Sequence, residues 1–163
     1  MNVVCGIDTG KQGAVAVFEN GTLVNVIDTP TIAAPAKGKK KAKSIYSEVG
    51  MVEIIRSIKP DFVVIEHVHS MPGQSCVSTF SQGQGYGLWI GIVAALGIPF
   101  KCVAPQTWKK ALLKDIGGDE KQRSVLGCQR LIPESIRYIR GPRGGYNTDR
   151  ADAILIALYE VKS

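Results

Sequence analysis

The sequence predicts an α/β fold in which a five-stranded mixed sheet is flanked by helices. Three observations carry that reading. Short apolar and β-branched runs at residues 3 to 7, 14 to 18 and 23 to 28 are separated only by turn-forming residues, as in consecutive antiparallel strands. Two later apolar runs, 62 to 66 and 100 to 103, each follow a segment that reads as helix, as in strands reached by a crossover. Finally, 163 residues with 45% hydrophobic content suffice to bury one substantial core, so residues 1 to 163 read as one domain.

In chain order, Val3-Val4-Cys5-Gly6-Ile7 forms the first strand, and Thr9-Gly10-Lys11-Gln12-Gly13 turns it into the second. Asn20-Gly21 is the dipeptide of a tight hairpin leading to the third. Pro30, Pro35 and the Lys/Gly/Ala stretch 36 to 43 lack apolar periodicity and read as an exposed, mobile loop. Ile45, Val49, Val52 and Ile55 then recur at helical spacing until Lys59-Pro60-Asp61 ends the helix. Phe80 to Leu96 reads as a helix stopped by Gly97 and Pro99. Its Gly83, Gly87 and Gly91 line one face and permit close approach of the sheet, a partner subunit or nucleic acid, with the sheet as first choice. Thr107 to Lys114, Asp119 to Leu131 and Thr148 to Val161 complete the helices. Three antiparallel strands, then helix, strand, helix, strand and terminal helices is the order of the ribonuclease H-like fold. In that order the first and fourth strands are adjacent and parallel.

Four carboxylates fall where this topology makes them converge. Asp8 ends the first strand, Glu66 ends the fourth, and Asp149 and Asp152 sit three apart on one face of the last helix. Hard oxygen ligands from separate elements suit Mg²⁺, singly or as a pair beside a phosphate, and so suggest phosphodiester hydrolysis. Each acid also has a plainer reading. Asp8-Thr9-Gly10 is good turn chemistry, Glu66 can simply meet solvent at a strand end, and an acid at Asp149 suits a helix start. Asp152 is harder to dismiss, because it interrupts the apolar run of Ala151, Ala153, Ile154, Leu155, Ile156 and Ala157, where a buried carboxylate needs a cation or hydrogen bonds, an exposed polar stripe being the alternative.

The formal net charge of +6 favours an anionic partner, and its distribution is uneven. Lys37, Lys39, Lys40, Lys41 and Lys43 form one cluster, and residues 101 to 150 hold eleven Lys or Arg against five Asp or Glu. Lys109, Lys110, Lys121 and Arg123 lie at helix starts, where basic groups suit DNA phosphates, with solvated charge as the alternative. His67 and His69 directly follow the strand-end glutamate, one of them a candidate ligand or proton carrier and at least one reading as a surface histidine. Residues 141 to 146, Gly-Pro-Arg-Gly-Gly-Tyr, read as a flexible loop that orders when substrate docks. They match no nucleotide-binding loop. Cysteines 5, 76, 102 and 128 lack metal-ligand spacing and read as reduced thiols. With no membrane-length segment and an immediate entry into a strand, the expectation is an intracellular, reducing, cytoplasmic setting, a host's if phage-encoded. An organelle is the alternative if a presequence has been removed.

With these residues identified, the chain resembles the RuvC family of Holliday junction resolvases, especially its shorter phage-type and chloroplast-type members, over nearly its whole length. The motifs are Gly6-Ile7-Asp8-Thr9-Gly10, Val64-Ile65-Glu66-His67-Val68, Gly85-Tyr86-Gly87-Leu88-Trp89-Ile90-Gly91, the block Val103-Ala104-Pro105-Gln106-Thr107-Trp108-Lys109, and Asp149-Arg150-Ala151-Asp152. The resemblance implies a homodimeric, Mg²⁺-dependent endonuclease, with Mn²⁺ as a substitute, that nicks two like-polarity strands of a four-way DNA junction. The family's acids fall on Asp8, Glu66, Asp149 and Asp152, and its lysines on Lys109 and, with a small spacing difference, Lys121. Where many bacterial members carry an aromatic residue past the strand-end glutamate, this chain has His69. The basic loop at Lys39, Lys40 and Lys41 also departs from the usual bacterial sequence. The resemblance also implies that two ions per site, held by these acids, would supply an activated water and stabilisation of the leaving 3′-oxygen, with 5′-phosphate and 3′-hydroxyl ends as the expected products. The competing functions are a ribonuclease H-like nuclease for structured RNA and a non-catalytic junction-binding protein. Sugar kinases and actin-like ATPases begin similarly but need a second lobe that this length cannot supply.

Overall fold

A computed structural model describes residues 2–34, 42–70, 72–141 and 144–163, apart from the side chains of Glu120 and Lys121. Strands β1 (Val3–Ile7), β2 (Ala14–Glu19) and β3 (Thr22–Asp28) form the expected antiparallel meander. The second turn closes because Asn20 and Gly21 both take positive φ, 49° and 82°, as a two-residue hairpin of this twist requires.

Between β3 and the first helix lies an unanticipated ribbon, β4 (Thr31–Ala33) paired with β5 (Ser44–Tyr46). Ile45 therefore belongs to a strand, not to the helical run it seemed to begin. A local cap and a long-range contact decide this. The Ser47 hydroxyl accepts from the Gly50 amide and caps α1 (Glu48–Ile58), while buried Tyr46 donates its hydroxyl to the Thr9 and Ser81 carbonyls at 3.3 and 3.2 Å. Helix α1 ends at Lys59, whose left-handed conformation (φ 53°) turns the chain toward the sheet.

β6 (Phe62–Glu66) then pairs parallel with β1, Ile7 opposite Ile65. Helix α2 (Cys76–Ala95) starts four residues earlier than expected because Ser75 caps it. β7 (Phe100–Val103) adds parallel to β6, completing the order β3-β2-β1-β6-β7. Helices α3 (Pro105–Leu113) and α4 (Glu120–Leu131) follow, with Pro105 in the first turn of α3 and Asp119 capping α4. A 3₁₀ turn (Pro133–Ser135) and α5 (Ile136–Ile139), too short to leave a periodic signal, lead to α6 (Thr148–Val161), capped by Asn147. At the two ends of the loop before α6, Arg140 bridges to Tyr146 and the Gly141 amide donates to the Gly145 carbonyl at 2.7 Å, while Pro142 and Arg143 lie outside the described residues.

Side-chain alternation sorts the core into two layers. Cys5, Ile7, Val15, Val17, Val63 and Ile65 face α1 and α2, whereas Ala14, Ala16, Phe18 and Val64 face α3, α4 and α6. Gly6 sets the spacing of the second layer. A Cβ there would lie 2.3 Å from the Ala157 nitrogen and 2.5 Å from the Ala153 carbonyl oxygen, so only glycine lets α6 rest directly on β1.

The expected packing of Gly83, Gly87 and Gly91 on the sheet is not found. No atom lies within 4 Å of a Cβ built at any of the three. Gly85, Trp89 and Val93 form the buried face instead, two residues out of phase, and a Cβ on Gly85 would lie 2.3 Å from the Tyr46 hydroxyl. Among the described residues, no helix is long and apolar enough to cross a membrane.

Candidate active site

The four acids come together by strand parity and helix placement. Asp8 and Glu66 are the next residues after the paired Ile7 and Ile65. They also continue the alternation of Gly6 and Val64, which face α6. That helix lies over β1 and β2, and its first turns carry Asp149 and Asp152. The resulting field is felt at Asp8. Its pKa is pushed up to about 8, first by burial and then by the negative charge of Glu66, Asp152 and Asp149. The Gly10 amide, donating to Asp8 Oδ1 at 3.1 Å, opposes this only in part.

That shift predicts an unusual pH dependence. Between the ordinary value of 3.8 and about 8, the folded protein holds the Asp8 proton more tightly than the unfolded chain does. The contribution of Asp8 to the stability of the metal-free protein should therefore be greatest below this window and fall as pH rises through it. Asp8→Asn should flatten that slope in thermal melts from pH 5 to 8; an equal slope in the variant would assign it to other groups.

Glu66 and Asp149 are half-buried, and one carboxylate oxygen of Asp152 is buried. Glu66 Oε1 accepts a 3.1 Å hydrogen bond from the indole N–H of Trp108. The start of α6 is clamped by Arg150, which donates to both carboxylate oxygens of Asp28 at 2.6 and 2.5 Å and to the Tyr138 carbonyl at 2.9 Å. This bidentate pair ties the helix turn bearing Asp149 to the end of β3. A cleft of about 660 Å³ opens between the turn after β1, the β4–β5 ribbon and α6, lined by Asp8, Lys11, Lys43 and Asp149 among others. A second, of about 490 Å³, borders Asp149 on the side of Tyr146. Among the described residues, no three carboxylate, imidazole or thiol groups are already gathered tightly enough to enclose an ion. The acids form an open, mutually repelling set, which is the donor chemistry a hard divalent cation neutralises.

The other expected site residues are spread more widely. His67 packs its ring edge-on against Tyr86 of α2 at 5.5 Å, and His69 stacks on His67 at 6.2 Å. Tyr86 belongs to the α2 layer, on the sheet face opposite α6. Lys109 lies 5.3 Å from the Trp108 ring centroid, and Lys110 is exposed. Arg123 donates to the Leu113 and Ile116 carbonyls at 2.8 and 3.0 Å, so it caps the end of α3. Lys39, Lys40, Lys41 and the side chain of Lys121 lie outside the described residues. Sequence reasoning passed over Lys11 and Tyr46, and it grouped Trp108 with its basic neighbours. Lys11 was the most accessible of these, being in the turn directly after Asp8.

A mixed sheet in this order, with α6 laid across β1, is the ribonuclease H-like fold. Within that class the chain is similar to RuvC proteins along 95% of its length. The crossover junction endodeoxyribonucleases RuvC of Rhizobium johnstonii and Agrobacterium fabrum are each 26% identical to it over 157 residues, covering 95% of this chain and 86% of theirs. Among solved structures, Thermus thermophilus RuvC in complex with a Holliday junction substrate superposes with a TM-score of 0.58 at 16% identity, covering 98% of this chain and 92% of that one. The yeast mitochondrial Holliday junction resolvase Ydc2 gives 0.59 at 14% identity, covering 99% and 78%. No family model matches the chain.

Proposed function

We propose that residues 1 to 163 form one nuclease domain that resolves four-way DNA junctions by paired, metal-dependent nicks. The observation that carries this reading is the convergence of Asp8, Glu66, Asp149 and Asp152 in one electrostatic field, at the edge of a cleft that also carries Lys11 and Lys43. The curated relatives are named as crossover junction endonucleases, and one structural neighbour is held on a junction, which supports the substrate.

The four acids would hold Mg²⁺ or Mn²⁺, with two ions per site as the fuller arrangement. When bound, such ions supply Lewis-acid stabilisation and a nucleophilic water at neutral pH. The chain's own part is positional. Strand ends fix Asp8 and Glu66, Arg150 fixes the first turn of α6, and Lys11 and Lys43 offer cationic walls for phosphate oxygens. Lys109 and Lys110 extend the basic surface, and Lys39, Lys40, Lys41 and Lys121 would add to it. The remaining donors of Arg123 and the exposed ring of His69 are weaker candidates for DNA contact. We place the protein in a reducing, intracellular compartment, in keeping with its four free cysteines.

We assign the homodimer contact to the open glycine face of α2. With Val52, Arg56 and Leu88 it lines a groove of about 580 Å³ between α1 and α2, and Val77 and Phe80, 78% and 75% exposed, extend its apolar surface. An isologous pairing there would present two equivalent sites to a substrate of near two-fold symmetry. Gly87→Leu should weaken association by roughly tenfold or more, read by sedimentation, and paired incision should fall before single nicking. Wild-type monomers that still cut in pairs would refute the dimer.

Competition separates this function from its alternatives. Cleavage of a labelled junction should resist excess structured RNA and excess linear duplex; preferential cutting of the RNA would favour an RNA-processing nuclease. Junction binding without cutting in Mg²⁺ or Mn²⁺ would leave only a binding protein.

A further inference from the structure

We infer that Trp108 is a positioning residue for Glu66, holding that carboxylate for metal through its indole N–H. The inference rests on the metal-dependent reading above and adds a residue to it. Trp108 is fully buried, yet its only polar atom reaches 3.1 Å to Glu66 Oε1, at the rim of the acid set.

The backbone makes this contact by construction. Glu66 pairs with Val103 in the β6–β7 register, and α3 begins at Pro105, two residues later. One turn of helix then carries Trp108 back over the end of β6. Its ring is packed into the α3–α4–α6 layer of the core together with Leu113 of the same helix. A ring so fixed has one orientation, and an indole N–H can only donate. It therefore anchors Oε1. Burial alone does not dictate such a bond. Trp89, equally buried, has an indole nitrogen with no hydrogen-bond partner among the described residues.

Groups that orient a metal ligand commonly alter metal affinity or activity by about 10- to 100-fold when removed. Trp108→Phe keeps an aromatic ring and deletes the donor. Calorimetric titration with Mn²⁺ should show affinity lowered by about that factor. Cleavage should be recovered at high Mn²⁺, with KM for the junction unchanged. Leu113→Ala serves as the packing control: it should lower Tm at least as much while leaving Mn²⁺ affinity as in wild type. In the wild-type protein, the indole N–H resonance that disappears in Trp108→Phe should shift during Mg²⁺ titration.

Wild-type affinity in Trp108→Phe would overturn the inference alone, as would an equal loss in Leu113→Ala. Should Trp108→Phe fail to fold, the indole resonances of the wild type decide: if neither moves with Mg²⁺ while the metal binds, the inference is overturned. A wild-type protein that takes up no Mn²⁺ would overturn the metal reading and this inference with it.

Discussion

Asp152→Asn is expected to reduce junction cleavage by about 10²- to 10³-fold or more, the scale of losing a preorganised charged group at a reacting phosphate. The substitution preserves volume and removes one negative charge. Asp152 sits between buried Ala151 and Ala153 on α6, and its charge adds to burial, the larger cause, in raising the pKa of both Asp8 and Cys128. Two further results should accompany the loss. Junction binding in Ca²⁺ should be kept or tightened, because one fewer anion faces the DNA phosphates. The metal-free protein should melt higher, because repulsion among the acids eases. Asp8→Asn and Glu66→Gln should show the same cleavage loss. Normal cutting by Asp152→Asn would make the residue peripheral, and unfolding would make it structural.

Gly6→Ala is expected to damage both stability and activity although it adds one methyl group far from solvent. The new Cβ would sit within 2.3 to 2.8 Å of Ala157 and Ala153 backbone atoms, which cannot rotate away as a side-chain tip would. Overpacking of this kind costs about 1–3 kcal/mol. Relief requires α6 to move off β1, and α6 carries Asp149 and Asp152. Cleavage should therefore fall even at temperatures where the variant remains folded by circular dichroism. A variant with wild-type Tm and wild-type cutting would show that the helix does not rest on β1 as described.

The acid set was legible because the meander, the crossover and the last helix each left a clear pattern. Strand alternation alone places Asp8 with Gly6 and Glu66 with Val64, on the face that α6 covers. What remained hidden depended on contacts between distant segments. Ile45 fitted a helical period, but the Ser47 cap and the Tyr46 hydroxyl hold it in a ribbon. The glycines of α2 signalled close approach, yet the three at four-residue spacing face open space, and it is Gly85, out of that phase, that meets Tyr46. Trp108 stood among lysines and read as part of a basic start to α3. Its bond to Glu66 spans 42 residues and follows only from the β6–β7 register. Arg123 likewise spends donors on α3, which its place in the first turn of α4 did not reveal.

The most direct measurement uses a labelled four-way junction and the wild-type protein, first stripped with chelator and then supplied with Mg²⁺ or Mn²⁺. Restored cutting is expected at symmetrically related positions on two strands, with 5′-phosphate and 3′-hydroxyl ends that a ligase can seal. Full cutting in excess chelator, or no cutting with either ion, would contradict the assignment of Asp8, Glu66, Asp149 and Asp152 to a metal-dependent junction nuclease.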